Sequence, residues 1–156
     1  MNGVSRIAGG ESVPPEECSR TTDAAPVEST VALDGAPGCI ADARARTLDL
    51  LARAGAARGL PVPARTLELA RLVVSELVTN ALKYAPGPIL LHLSAADGMV
   101  EIEVWDSDPT LPLARAADVG RVGGHGLEIV LAVVRGFEAR PEPVGKRVTA
   151  RLPLFD

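Results

Sequence analysis

The chain has 156 residues, of which 47% are hydrophobic and 23% are charged, a balance that indicates a single soluble globular domain. Its net charge of -4 at pH 7 offers no basic surface of the kind that binds nucleic acid or an anionic membrane. The sequence has no run of about 18 apolar residues and no apolar core of a signal peptide near its start. We therefore predict a cytoplasmic protein that binds neither nucleic acid directly nor a membrane.

The first part of the chain differs in composition from the rest. Residues 1–29 are rich in Gly, Pro, Ser, Thr and Glu and show no hydrophobic period. Such a segment buries too little apolar surface to offset the entropy of ordering. We predict a disordered leader over residues 1–29 and one folded domain over residues 30–156, with a first short strand near Ser29 to Gly35.

Two helices are predicted next. Apolar residues recur at helical spacing from about Ile40 to Arg58, and Gly59 is a typical C-terminal cap. A second helix runs from about Pro63 to Tyr84, because proline is favoured in a first turn and the following Pro-Gly-Pro stops the helix. One of its faces is wholly apolar, and we expect that face to pack on a sheet.

The remaining sequence predicts two hairpins and a third helix. The runs PILLHLSA and MVEIEVWD are joined by Ala-Asp-Gly, which is a hairpin signal. An irregular segment from Ser107 to Gly124, weakly helical near residues 114–119, leads to a helix from about Gly126 to Arg135, and FEAR with GKRVTARLPL predicts a closing hairpin. These elements predict an α+β fold, a two-layer α/β sandwich with a mixed, mostly antiparallel sheet and helices on one face.

The second helix carries a stripe that begins with leucines and becomes polar. At about 100° per residue, Glu76, Asn80 and Lys83 fall on one side. An ordinary solvated face explains most stripes of this kind. The alternative is a Mg²⁺ and phosphate site, in which Asn80 offers an oxygen ligand, Glu76 a general base and Lys83 a positive charge. Lys83 is notable because the chain has 14 arginines but only one other lysine, Lys146.

Two further features fit the same hypothesis. Asp106 ends a strand, where its carboxylate either starts a turn or accepts a hydrogen bond from an exocyclic amine such as that of adenine. The sequence GRVGGHGLEIV leads directly into the third helix, and its glycines let backbone N–H groups approach an anion closely. A flexible linker ending in a turn is the alternative, and His125 in it is either a phosphate contact or a solvent-exposed histidine.

The order of these motifs resembles the histidine-kinase-like ATPase superfamily, also known as the GHKL or Bergerat-fold ATPases. SELVTNALKYA is similar to its N-box, and GGHGLEIV is similar to its second glycine box. Within the superfamily, the chain most resembles small, single-domain bacterial ATP-binding proteins related to anti-sigma factors that act as serine/threonine kinases. The resemblance covers about Ser29 to Leu154. No phosphoacceptor-histidine helix pair precedes it, so we do not expect a complete sensor histidine kinase.

The resemblance implies a role for each matching residue. Asn80 would be the Mg²⁺ ligand and Glu76 the general base, while Lys83 would lie near the phosphates and Tyr84 against the nucleotide. Asp106 would accept a hydrogen bond from the adenine amine. The phosphate-binding end of the lid would comprise Gly124, Gly126 and Leu127, with His125 between them as a further cofactor contact.

One departure concerns the adenine end of the pocket. The first glycine box of the superfamily is often D-x-G-x-G, whereas this chain has DSDPT. The segment from Ser107 to Thr110 contains no glycine, and Asp108 is a substitute acceptor there. The adenine end is therefore the part of the site that the resemblance defines least.

The resemblance implies ATP and Mg²⁺ as cofactors, implies a sigma factor and an anti-sigma antagonist protein as partners, and leaves homodimerisation open. Three functions follow for comparison. The first is a serine/threonine protein kinase that acts on the antagonist, the second a nucleotide-dependent protein-binding switch with little or no phosphotransfer, and the third a structural domain with degenerate ATP binding. Glu76 favours the kinase, because a pure binding module needs no base beside the metal.

Overall fold

The computed structural model describes residues 26–85, 87–111 and 125–155. The elements in these residues are β1 (Val27–Leu33), α1 (Cys39–Arg58), α2 (Ala64–Tyr84), β2 (Ile89–Ala96), β3 (Met99–Asp106), α3 (His125–Val133), β4 (Gly136–Pro141) and β5 (Lys146–Pro153). Each lies close to its predicted position. Most of the predicted leader and the weak helical stretch near residues 114–119 lie outside the described residues. None of the described helices is long and apolar enough to span a membrane.

The sheet begins before the predicted start of the domain. β1 starts at Val27, so residues 27–29 of the predicted leader pair with β2. Along β1, Val27, Ser29 and Val31 are half-buried, and Leu33 is the first fully buried residue. The strand is weakly marked in the sequence because it lies at the edge of the sheet, where its exposed face carries Glu28, Thr30 and Ala32 and its inward face includes Ser29.

The described strands form one five-stranded sheet in the order β1-β2-β3-β5-β4, and all neighbouring pairs are antiparallel. Asp97 and Gly98 join β2 to β3 with positive φ angles of 55° and 78°, as a two-residue hairpin turn requires. α1 packs on β1 and β2, α2 packs on β2, β3 and β5, and α3 packs on α2. The predicted two-layer α/β sandwich, with a mostly antiparallel sheet, is confirmed.

The apolar face of α2 forms the centre of the helical layer. Its buried residues are Thr66, Ala70, Val73, Val74, Leu77, Val78 and Ala81. They belong to one cluster with the inward residues of the central strands, among them Leu91, Leu93, Val100, Ile102 and Val104. The face predicted for α2 is therefore the core face, although it includes Val73, and Leu67 at its start is only partly buried.

The opposite face of the sheet carries ion pairs between neighbouring strands. Arg151 Nε lies 2.8 Å from Glu101 Oε2, and Arg147 Nη1 lies 3.2 Å from Glu103 Oε2. The alternation in β3 and β5 predicts these pairs once the two strands are neighbours. Because these side chains are partly exposed, each pair contributes little to stability and mainly defines this face as polar.

Candidate functional site

The polar stripe of α2 lies along the edge of its buried face. Glu76 and Asn80 are half-buried, whereas Lys83 in the last turn is exposed. Leu77 follows Glu76 in the chain and Ala81 follows Asn80, and both Leu77 and Ala81 are buried in the core. Glu76 and Asn80 are therefore not on a fully solvated helix face. Of the three polar residues, only Lys83 is explained as part of an ordinary solvent-exposed face.

Glu76 reaches the start of α3. A methyl group placed on Gly126 would overlap the Glu76 carboxylate, and Oε1 is the atom that it would meet first. Glycine at this position allows the carboxylate to lie against the helix backbone, and a larger residue would displace it. Glu76 on α2 and Gly126 in the first turn of α3, which are far apart in the chain, thus meet at one point.

This point has the electrostatic character of an anion site. α3 begins at His125 and continues for nine residues. The first N–H groups of a helix have no partner within the helix, and the helix dipole places positive potential at this end. The carboxylate of Glu76 lies at the end of α3 that favours negative charge, and a phosphate group would be stabilised there for the same reason.

The other predicted phosphate and nucleotide contacts lie at two places. His125 is the first residue of α3, Leu127 is half-buried in its first turn, and Gly124 lies outside the described residues. At the end of α2, the ammonium of Lys83 lies 5.6 Å from the centroid of the Tyr84 ring, which is a cation–π distance. The structure therefore groups Lys83 with Tyr84 and places Leu127 and His125 at the helix start.

Asp106 ends β3 and is buried, with only 2% of its surface exposed. Its Oδ1 accepts a hydrogen bond from the Lys146 ammonium at 2.9 Å and another from the Asp108 backbone N–H at 2.9 Å. Lys146 also donates to the Asp108 carbonyl oxygen at 2.9 Å, and it is 1% exposed. Asp106 is thus an inward-facing carboxylate, and its charge is compensated by a buried lysine.

Lys146 is the site residue that the sequence analysis does not predict. It is the first residue of β5 and pairs in register with Asp106. The signal is present in the sequence, because Lys146 has the same period-two phase as the inward residues Val148 and Ala150. Placing lysine at an inward position of a strand runs against expectation, since lysine is almost never fully buried unless it is paired.

Gly145 holds the beginning of β5 against the end of β3. Its φ is +78°, and a methyl group there would overlap the backbone carbonyl oxygen of Asp106. Trp105 adds a second link between the two segments, because its Nε1–H donates to the Val144 carbonyl oxygen at 2.9 Å. The turn before β5 is therefore fixed to the backbone that carries Asp106, which positions Lys146 opposite the carboxylate.

The polar groups of the stripe suit Mg²⁺ better than a metal held entirely by the protein. Within the described part of the chain, no group of three or more His, Cys, Asp or Glu side chains is placed to hold a metal ion. Mg²⁺ keeps several water ligands and commonly takes one or two protein oxygens together with phosphate oxygens. The half-buried Asn80 side chain offers such an amide oxygen one helical turn from Glu76, whose carboxylate lies against Gly126. These residues fit Mg²⁺ together with a bound phosphate.

A comparison with family models gives the class of protein to which this helical layer over an antiparallel sheet belongs. A family model described as the histidine kinase-like ATPase domain matches residues 41–152. The chain belongs to this family. The matched region extends from α1 to β5 and includes Glu76, Asn80, Asp106, Gly126 and Lys146.

The fold is also that of a solved structure. The crystal structure of the RsbU and RsbW domains of Rv1364c from Mycobacterium tuberculosis matches with a TM-score of 0.60 and 22% sequence identity, covering 81% of this chain. The match covers 32% of that longer chain. At this identity the similarity establishes the fold alone. A comparison with curated proteins gave no match.

Proposed function

We propose that this protein is a Mg²⁺-ATP-dependent regulatory kinase of the anti-sigma-factor type, which phosphorylates a serine or threonine of an antagonist protein. The observation that carries the proposal is the contact between Glu76 and Gly126, because it places a carboxylate beside a helix start suited to phosphate. Membership of an ATPase-domain family supports nucleotide binding. The similarity of SELVTNALKYA and GGHGLEIV to the N-box and second glycine box of the superfamily also supports ATP binding, and the resemblance of the chain to small anti-sigma-factor-type kinases supports the narrower assignment.

The residues at the start of α3 and on the α2 stripe would divide the work of phosphoryl transfer. Asn80 would supply an amide oxygen to Mg²⁺, and the N-terminal N–H groups of α3 would hold a phosphate. Bound Mg²⁺ would neutralise negative charge on the phosphates. Glu76 would accept the proton of the attacking hydroxyl, and Lys83 would add positive charge from the end of α2.

The base of the nucleotide would lie toward Asp106 at the end of β3. A carboxylate accepts hydrogen bonds, and adenine presents an amine where guanine presents a carbonyl oxygen. We therefore expect ATP to bind in preference to GTP. Tyr84 would contact the nucleotide, and Asp108 would be a further acceptor near the base.

The proposed partners are a sigma factor and its antagonist protein, with the chain acting in the cytoplasm. The motif resemblance to anti-sigma-factor kinases supports both partners, and the solved relative combines RsbU and RsbW domains in one chain. Homodimerisation is a further arrangement that the resemblance allows. Affinity capture from a lysate with and without ATP tests this assignment: recovery of neither a sigma factor nor an antagonist would contradict it.

The binding step is tested by titrating the protein with ATP and Mg²⁺ in a calorimeter. We expect saturable binding that requires Mg²⁺ and that Asn80→Ala weakens strongly, because the substitution removes the proposed metal ligand. Thr79→Ala is the matched control, since it removes a half-buried polar side chain from the neighbouring position of α2. Unchanged affinity in Asn80→Ala would exclude Asn80 as a Mg²⁺ ligand.

The catalytic step separates the kinase from a nucleotide-dependent switch without phosphotransfer. The switch is favoured by the same contact if Gly126 holds the Glu76 carboxylate away from a substrate hydroxyl. Glu76→Gln should retain ATP binding and lose phosphate transfer to the antagonist, whereas Glu68→Gln on the exposed side of α2 should retain both. Full transfer without Glu76 would remove its role as base, and absence of transfer in the wild-type protein would support the switch.

A further inference from the structure

The buried ion pair at the end of β3 is the feature of the site that the family motifs do not explain. Lys146 and Asp106 have side chains that are 1% and 2% exposed, and their charged atoms are 2.9 Å apart. The same ammonium donates to the Asp108 carbonyl oxygen, and the Asp108 N–H donates back to Asp106 Oδ1. One lysine thus closes a ring of hydrogen bonds around the turn that leaves the sheet.

Stability alone is a weak reason for a lysine at this position. The next inward residues of β5 are Val148, Ala150 and Leu152, which fill the core without any charge. Replacing a buried ion pair by an apolar pair of similar volume is often neutral or stabilising, so a buried ion pair is weak evidence for stability. The pair lies at the end of this inward series, where β3 and β5 meet the proposed base site.

We propose that Lys146 is a positioning residue for nucleobase recognition. It holds the Asp106 carboxylate as an oriented ion, and it fixes the turn through Ser107 and Asp108, which lacks the glycines of the usual motif. This inference rests on the proposed function, because it requires that a nucleotide base lies at Asp106. Lys146 itself is buried and donates to Asp106 and Asp108, so it acts through the carboxylate and not by touching the base.

The consequence is a dependence of base selection on a residue that does not contact the base. A carboxylate that has lost a buried counter-ion takes up a proton more readily, and a protonated carboxyl group is a hydrogen-bond donor as well as an acceptor. Without Lys146, Asp106 would therefore lose its preference for the adenine amine, and its protonated form would donate a hydrogen bond to the guanine carbonyl oxygen. Within the described residues, the groups in hydrogen-bond contact with the Lys146 ammonium belong to Asp106 and Asp108.

The experiment is calorimetric titration of Lys146→Met with Mg²⁺-ATP and with Mg²⁺-GTP over roughly pH 5.5 to 8. We expect ATP affinity to fall about 10- to 100-fold, the preference for ATP over GTP to shrink, and ATP binding to weaken further as the pH falls. Arg53→Met is the matched control, because it removes a cation from an exposed pair with Asp49 on α1. The control should bind both nucleotides as the wild-type protein does. The ATP affinity of the wild-type protein should change little over this pH range.

Two results would overturn the inference while leaving the proposed function intact. The first is wild-type affinity and wild-type base preference in Lys146→Met. The second is wild-type binding by the double variant Asp106→Asn with Lys146→Met, which removes both charges. If the lone buried carboxylate unfolds Lys146→Met, this double variant still folds and its binding can be measured. We expect this double variant to bind ATP weakly and without pH dependence, and wild-type binding would show that the oriented ion is unnecessary. Failure of the wild-type protein to bind ATP at all would refute the proposed function instead.

Discussion

The turn before β5 permits a test of the geometry that depends on no functional assumption. Gly145 and Gly98 have the same φ of +78°, but their surroundings differ. A methyl group on Gly145 would overlap the carbonyl oxygen of Asp106, whereas a methyl group on Gly98 would meet no atom within 4 Å. Replacing each glycine by alanine therefore separates the cost of the backbone conformation from the cost of the contact.

The expected magnitudes follow from these two terms. An alanine in the left-handed conformation destabilises the folded state by roughly 1–2 kcal/mol. The loss of glycine's conformational freedom in the unfolded chain stabilises the folded state by about 0.4–1 kcal/mol. Gly98→Ala should therefore lower the free energy of unfolding by about 1 kcal/mol. Gly145→Ala should lower it by a further 1–3 kcal/mol or so, because the overlap is with backbone and not with the end of a flexible side chain.

Guanidinium chloride unfolding followed by circular dichroism measures both values under the same conditions. For a domain of this size, each kcal/mol corresponds to about 2–4 °C in Tm, so thermal scans give an independent check. The Gly145 variant should also show a disturbed Trp105 fluorescence, since the indole donates to the neighbouring Val144 carbonyl. Equal destabilisation by the two substitutions would refute the close approach of Gly145 to Asp106.

Three other substitutions test separate parts of the structure. Gly126→Ala should change the free energy of unfolding by less than about 1 kcal/mol, because the gain in helix propensity offsets the cost of a new Glu76 rotamer. The substitution should nevertheless reduce phosphate transfer, as Glu76→Gln does. Normal transfer would contradict the contact between Glu76 and Gly126. Arg151→Met should cost less than about 1 kcal/mol in urea unfolding, since its pair with Glu101 is partly exposed, and a larger loss would mean a stronger pair. Burial raises the pKa of the Cys39 thiol. In a Cys18→Ser variant, where Cys39 is the one remaining cysteine, a thiolate-specific reagent should therefore modify Cys39 slowly until the protein unfolds. Rapid labelling of the native protein would count against the burial of Cys39.

The parts of the fold that the sequence predicts best are those in which local pattern and tertiary packing agree. In the β2–β3 hairpin, β3 alternates Val100, Ile102 and Val104 with Glu101 and Glu103, and the turn needs positive φ at Asp97 and Gly98, so its register follows from the sequence. α1 ends at Gly59 with a left-handed φ of +68°, as its C-terminal glycine predicts. β1 is the counterexample, because an edge strand is held by its neighbour more than by its own pattern.

The candidate site also has parts that the sequence predicts and parts that only the packing of the elements shows. Spacing places Glu76 and Asn80 on one stripe, but only the three-dimensional packing shows that Glu76 meets Gly126, since no local rule connects α2 to the start of α3. Asp106 is predictable as an inward residue from the alternation of β3. Lys146 follows the same rule on β5, and its burial becomes intelligible only when the register of the two strands brings the lysine opposite Asp106.

The same pair also explains why this position carries one of two lysines in a chain with 14 arginines. The Lys146 ammonium has three protons on a compact charge, and it meets Asp106 Oδ1 and the Asp108 carbonyl oxygen, each at 2.9 Å. A guanidinium would bring five N–H donors in a rigid plane into a space with 1% exposure, where unmatched donors are costly to bury. Lys83 is exposed, and an arginine would serve equally well at that position as a positive charge. The scarcity of lysine therefore says more about Lys146 than about Lys83, because burial distinguishes the two cations at Lys146.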